Sequence, residues 1–194
     1  MGKIGDIKIA TLVVIALLGI LALVAMATLR STGAANNFLD TQNRAKVARV
    51  RSDMRSLASA IDQYHLRDGG LPAWTTDTQF TKLHAITTTG KPVPSFRLPS
   101  STGATGLHTL TTPNAYISTY PRDAFTKAQD DPFAYFNKGK SYILLSPGPD
   151  HDYDYDLTQF TPGSSPPSEP ILFATYDPTN GASSSGDVWE IEHL

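Results

Sequence analysis

The sequence predicts an α+β chain: a long N-terminal helix, then a loop-rich part carrying a few short strands. Three observations predict it. Residues 9–29 (IATLVVIALLGILALVAMATL) carry no charge, and 18 of those 21 positions are apolar. Residues 47–64 hold an apolar stripe at helical spacing. Beyond residue 130, four short apolar runs alternate with turn-forming segments.

The 194 residues include no cysteine, and the net charge of −2 hides an uneven distribution. Residues 1–29 sum to +1, residues 30–68 to +3 and residues 69–194 to −6. That pattern argues against a disulfide-stapled miniprotein, a zinc–cysteine module, a cysteine-nucleophile enzyme and a strongly basic nucleic-acid binder. It describes a greasy anchor, a basic stalk and an acidic head.

The first element is the apolar run. A bilayer core of about 30 Å takes roughly 20 apolar residues in a helix, and the run between Lys8 and Arg30 supplies them. A cleaved secretory signal wants a shorter run and a small-x-small site after it, whereas Ala25-Met26-Ala27 lies inside this one. Basic residues flank both ends (Lys3 and Lys8; Arg30, Arg44, Lys46 and Arg49), so charge leaves the orientation open. Within the run, Leu12, Ile15, Gly19 and Leu23 are the candidate residues for packing against other copies, with Gly19 small enough to permit close helix approach.

The second element continues the helix. Val47, Val50, Met54, Leu57, Ile61 and Tyr64 recur at spacings of three and four, and Arg44, Lys46, Arg49, Arg51, Arg55 and Arg67 occupy other faces. Ser31–Asn37 is a weaker helix former. Asp68-Gly69-Gly70 predicts the end, and Pro72 forbids continuation. At 1.5 Å per residue, residues 9–68 make a helix of about 90 Å, a length of use to a polymer rather than to a lone domain.

The third part is the head. Residues 73–130 read as loops, with one short helix expected at Thr78–His84 and another short helix or turn at Leu107–Tyr116. Strands are expected at 133–136 and 141–146, joined by the hairpin signal Asn137-Lys138-Gly139-Lys140. Two further strands are expected at Ile171–Thr175 and Val188–Ile191, separated by the Pro/Ser-rich segment Thr161–Pro170. The resulting division is 1–8, 9–29, 30–70 and 71–194.

Asp150-His151-Asp152-Tyr153-Asp154-Tyr155-Asp156 is the most pointed segment chemically. Four carboxylates at alternate positions of an extended chain share one face and repel. A hard divalent cation resolves that conflict, and calcium accepts six to eight oxygen ligands. Asp150, Asp152 and Asp154 are the first candidates and Asp156 the next. Asp177 and Asp187 join if the last loop folds back. The bland alternative is a solvated acidic loop with Tyr153 and Tyr155 packed inward. An EF-hand does not fit, because its glycine position holds Tyr155 and its final glutamate position Thr161.

The chain resembles the type IV pilin-like proteins, above all the major pseudopilin of type II secretion. The resemblance rests on Val14–Ala22, Arg44–Leu57, Tyr64-His65-Leu66-Arg67-Asp68-Gly69-Gly70-Leu71-Pro72, Asp131-Pro132-Phe133 and Tyr142–Asp150. It implies a long helix laid on a small antiparallel sheet, assembly into a helical filament, storage in the bacterial inner membrane with the head on the periplasmic side, and a calcium site in the loop after the hairpin. It also implies processing after a glycine. Alignment on Gly19 puts that cut after Gly5, so that Asp6 becomes the first residue. Ala10 then stands where the family usually has a glutamate, and Asp6 is the candidate substitute.

No HExxH pattern arises from His65, His84, His108, His151 and His193, and no GxSxG, Walker A or dinucleotide fingerprint occurs. Asp130-Asp131 beside Pro132 reads as a turn. The sequence therefore predicts a structural subunit rather than an enzyme, with no nucleic-acid or small-molecule partner. Its expected partners are copies of itself, the membrane and an assembly machinery. The rival readings are a surface pilus subunit and a monomeric membrane-anchored, calcium-dependent binding module. The charge split further suggests that the basic helix of one copy attracts the acidic head of the next.

Overall fold

A computed structural model describes residues 14–15, 17–21, 34–99, 108–128, 131–162, 169–180 and 184–194. The chain divides into two compact units, Met1–Thr41 and Gln42–Leu194. In the first, residues 14–15 and 17–21 are helical, and Val14, Ile15, Leu17, Leu18, Ile20 and Leu21 are all exposed. No helix among the described residues is long and apolar enough to cross a membrane. Most of the 9–29 run, with Gly5, Asp6, Leu12 and Leu23, lies outside the described residues.

Helix α1 spans Ala34–Asp68. Its stripe behaves as the spacing dictates: Val47, Val50, Met54, Leu57, Ile61 and Tyr64 are all buried. The helix stops where its chemistry stops it. Gly69 adopts φ +73° and donates its N–H to the His65 carbonyl at 2.9 Å, the left-handed cap that a Cβ would strain.

Among the described residues, five antiparallel strands form one sheet in simple order: β1 (Trp74–Thr75), β2 (Ser95–Phe96), β3 (Ala134–Lys138), β4 (Ser141–Ser146) and β5 (Val188–His193). The fold is therefore α+β, one long helix on an antiparallel sheet. The hairpin pairs Lys138 with Ser141, and Gly139 takes the positive φ of 67° that its tight turn requires. Side chains along β3 and β4 alternate between two cores. Tyr135, Tyr142 and Leu144 face the helix stripe with Phe96, Phe125, Phe133 and Val188. Ala134, Phe136, Ile143 and Leu145 face the other way, against Tyr153, Tyr155, Leu157, Phe160 and Ile171. Strand β4, flanked by β3 and β5, is thus buried on both sides, all six residues of it.

Two expectations are corrected, and a third is narrowed to its non-helical alternative. Thr78–His84 is a set of turns: Asp77 caps a single turn, its side chain accepting the Gln79 N–H at 2.9 Å and its carbonyl the Phe80 and Thr81 N–H groups, and Thr81 Oγ1 then takes the Leu83 N–H at 3.1 Å in place of a continued backbone ladder. The described part of Leu107–Tyr116 is likewise bends without a helix. Ile171–Thr175 is mostly helical: α2 spans Glu169–Phe173, with Pro170 near its start. Among the described residues of the segment, only Thr175 makes a β-bridge, parallel to Asp187, while Ile171 packs on the sheet through its side chain.

Candidate functional site

The segment after β4 is shaped by two glycines. Gly148 (φ +67°) and Gly186 (φ +112°) stand back to back. A Cβ on Gly148 would collide with the Gly186 carbonyl oxygen, and one on Gly186 would sit 2.6 Å from the Thr175 carbonyl carbon. Only glycine permits this approach. It draws the loop after β4 against the entry to β5, Gly186 standing 38 positions after Gly148 in sequence.

Two aspartates meet through that approach. The Gly186 N–H donates to Asp150 Oδ2 at 3.1 Å, and the Asp152 N–H to Asp150 Oδ1 at 3.3 Å. Across from it, Asp187 is fully buried. Its Oδ2 accepts from the N–H groups of Tyr155 (2.7 Å) and Asp154 (3.1 Å), while its buried Oδ1 has no hydrogen-bond partner. Burial pushes the Asp187 carboxyl up to about 8; the negative charges of Asp154 and Asp150 add to the rise, against the two N–H bonds. Burial also raises Asp150, with Asp154 adding to it and the backbone N–H bonds opposing. A buried carboxylate with an orphaned oxygen and two like charges beside it calls for a proton or a cation.

The other acidic residues are placed differently. Asp152 is exposed and accepts from Lys127 Nζ at 3.2 Å. Asp156 is turned away: it caps the Leu157–Gln159 turn, accepting from the Thr158 N–H and Oγ1, and pairs with Lys91 Nζ. Although its partial burial opposes the shift, those partners hold its carboxyl below the usual range. Asp156 therefore belongs to a cap, which corrects its assignment to the cation set. Asp177 is exposed and satisfied by the Thr179 N–H and Oγ1, which lower its pKa. The alternation expected for the loop holds only in part. Tyr153 and Tyr155 are buried, but the chain turns at His151 (φ +66°), so the four carboxylates do not share one face.

Asp187 was foreseen only as a late joiner, and a second buried acid was not foreseen at all. Asp123 Oδ1 accepts from the Phe125 N–H (3.0 Å) and Ser146 Oγ (2.8 Å), while Oδ2 is buried without a partner. Burial pushes this carboxyl up to about 6, opposed by those bonds and by His151. The Asp123 knot braces the loop, since the adjacent Phe125 carbonyl contacts His151 Nδ1 at 2.5 Å. A cleft of about 140 Å³ beside it is lined by His84, Lys127, Asp131, His151 and Asp152. Among the described residues no three His, Asp or Glu side chains form a closed metal-ligand group.

Of the candidate packing residues, Ile15 is 60% exposed and Gly19 has open space around its Cα. No protein-family model, curated protein or solved structure matches this chain.

Proposed function

We propose that the chain is the structural subunit of a helical filament that polymerises through its N-terminal helix. It is stored in the bacterial inner membrane with the head on the periplasmic side, and the filament is most plainly a pseudopilus of type II secretion. One observation carries the reading: six large apolar side chains between Val14 and Leu21 are exposed on a helix, each more than half accessible. A protein leaves such a surface bare only where lipid or another apolar surface covers it. The uncharged run of residues 9–29 is long enough for lipid, and Gly19 allows a second helix close by. The head contributes rigidity through a helix clamped along one stripe.

A structural calcium ion belongs to this reading. Asp150 and Asp187 are the residues that would hold it, Asp187 Oδ1 being the orphaned acceptor, with the Asp154 charge beside them. Asp152 and Asp156 are otherwise engaged.

Fractionation of cells expressing the full chain tests the assembly. Filaments containing the chain in sheared material are the expected result. Recovery only as a monomer from detergent-extracted membranes would replace the filament with a membrane-anchored, calcium-dependent binding module. Filaments that extend beyond the cell surface would favour a pilus over a pseudopilus.

A further inference from the structure

One flank of α1 is polarised in charge. Arg44, Arg51, Arg55 and Asp62 are spaced 7, 4 and 7 residues apart, which at 100° per residue puts all four within roughly 40° of one another. The line runs about 27 Å along the axis, basic at its first three positions and acidic at its last. All three arginines are exposed, and among the described residues none has a carboxylate within ion-pair reach. Arg49 differs: it pairs with Asp53 one turn on, so it is not part of this line.

The acidic end is thickened by β5. Val188 faces the helix-side core, and side chains alternate along a strand, so Glu190 and Glu192 lie on the helix side too. Glu192 stands beside Tyr142 in the register, and the Tyr142 hydroxyl donates to Asp62 Oδ1 at 3.4 Å. Asp62, Glu190 and Glu192 therefore converge. Their mutual repulsion is visible at Glu192, whose carboxyl is raised by burial and then by Asp62 and Glu190, with His193 opposing. Between the two charge blocks runs a groove of about 270 Å³ walled by Arg51 and Arg55 and by Thr175, Asp187, Val188, Trp189 and Glu190.

Among the described residues, β5 is also an edge of the sheet. The Leu194 N–H donates to the Lys140 carbonyl, and Asp187 exchanges bonds with the 174–176 segment on the outer side. By alternation, the backbone groups of Trp189, Ile191 and His193 point outward, away from β4. Charge and an open edge thus occur on the same side of the head.

We propose that this flank is a contact surface between copies of the chain, the Arg44–Arg51–Arg55 ridge of one copy seating against the Asp62–Glu190–Glu192 patch of the next. The proposal rests on the filament reading and names the head contact within it. In a filament whose copies all point the same way, ridge meets patch head-to-tail, and repetition of that contact builds an open array; two free copies laid antiparallel would instead pair ridge with patch at both ends and close. The contact answers both halves of the charge problem, giving unpaired guanidiniums carboxylates and giving three crowded carboxylates cations.

The test uses the full chain in cells and two variants, R51E/R55E and E190R/E192R. Each alone sets like charge against like charge between copies, and sheared filament should fall at least about tenfold, while the melting temperature of the head stays within a few degrees. Co-expressed, the two variants should alternate and restore filament, because each variant's patch then meets a ridge of opposite sign. R51K/R55K should assemble. Wild-type filaments unaffected by either reversal would overturn this contact and leave the filament reading standing. So would reversals that abolish assembly without rescue on mixing. Absence of filaments from the wild-type chain would overturn the filament reading, and this contact with it.

Discussion

Asp187 and Asp123 decide how the head responds to pH. Both carboxyls are raised above their unfolded value of about 3.8, to about 8 and about 6. A folded state that binds protons more tightly than the unfolded one gains stability from them below pH 4. It loses that stability as pH rises through 6 and then 8. Asp156 has the opposite sign, since its lowered carboxyl contributes above pH 4 and is lost below it. The cation-free head should therefore be most stable near pH 4–5, with its melting temperature falling by roughly 5 °C or more by pH 8. Calcium should offset most of that fall, because the metal binds the ionised carboxylates. Asp187→Asn should remove both the upper part of the pH dependence and the response to calcium. A calorimetric pH series with and without chelator on residues 31–194 checks all three. A melting temperature indifferent to chelator at pH 7.5 would contradict the calcium site.

The glycines belong to the same scale. Gly148→Ala and Gly186→Ala each add a Cβ where backbone already stands, at a positive φ. Each should cost about 2 kcal/mol or more and abolish the calcium response, measured by denaturant unfolding. Gly139→Ala, strained only in its turn with open space around it, should cost less and leave the calcium response intact.

At the scale of elements, the helix is held by its stripe. Met54→Ala and Ile61→Ala remove side chains that are fully buried and should each cost 2–5 kcal/mol by about the usual cavity penalty. Ser56→Ala on the exposed face should stay within about 0.5 kcal/mol. The two sets are separated by chemical denaturation of residues 31–194. This element was legible in the sequence because a 3.6-residue period sustained over 18 residues leaves one interpretation. The hairpin was legible for a similar reason, two apolar runs around Asn137-Lys138-Gly139-Lys140. The two-residue strands β1 and β2 were not, since two residues carry no periodicity and their pairing is made elsewhere in the chain. Ile171–Thr175 misled because a five-residue apolar run has no period either, and only Pro170 hinted at a helix start. The site was half legible. Asp150 and Asp154 announced themselves by density of charge, whereas Asp187 joins them only through the Gly148–Gly186 approach, a contact between distant segments. Asp156 was misassigned because local spacing cannot distinguish a ligand from a cap.

For the whole molecule, the three charge blocks read in the sequence acquire separate positions. The apolar run carries exposed side chains at Val14, Ile15, Leu17, Leu18, Ile20 and Leu21, the basic ridge lies on α1, and the acid is split between the Asp150–Asp187 pair, with Asp187 fully buried, and the half-buried patch on β5. Assembly driven by the apolar run should persist in high salt, while the head contact should weaken, since exposed charges more than about 10 Å apart are largely screened at 0.1 M. Filaments sheared in 1 M salt should therefore be retained but more easily fragmented than in 0.05 M salt, a difference that length distributions in electron micrographs would read. The central claim is the filament itself, and electron cryomicroscopy of sheared material tests it most directly. The account predicts a filament whose core is packed helices of residues 9–29, with heads outside and the Arg51 ridge of each against the Glu190 patch of the next. Sheared material without this chain, or a filament whose core excludes those helices, would contradict it.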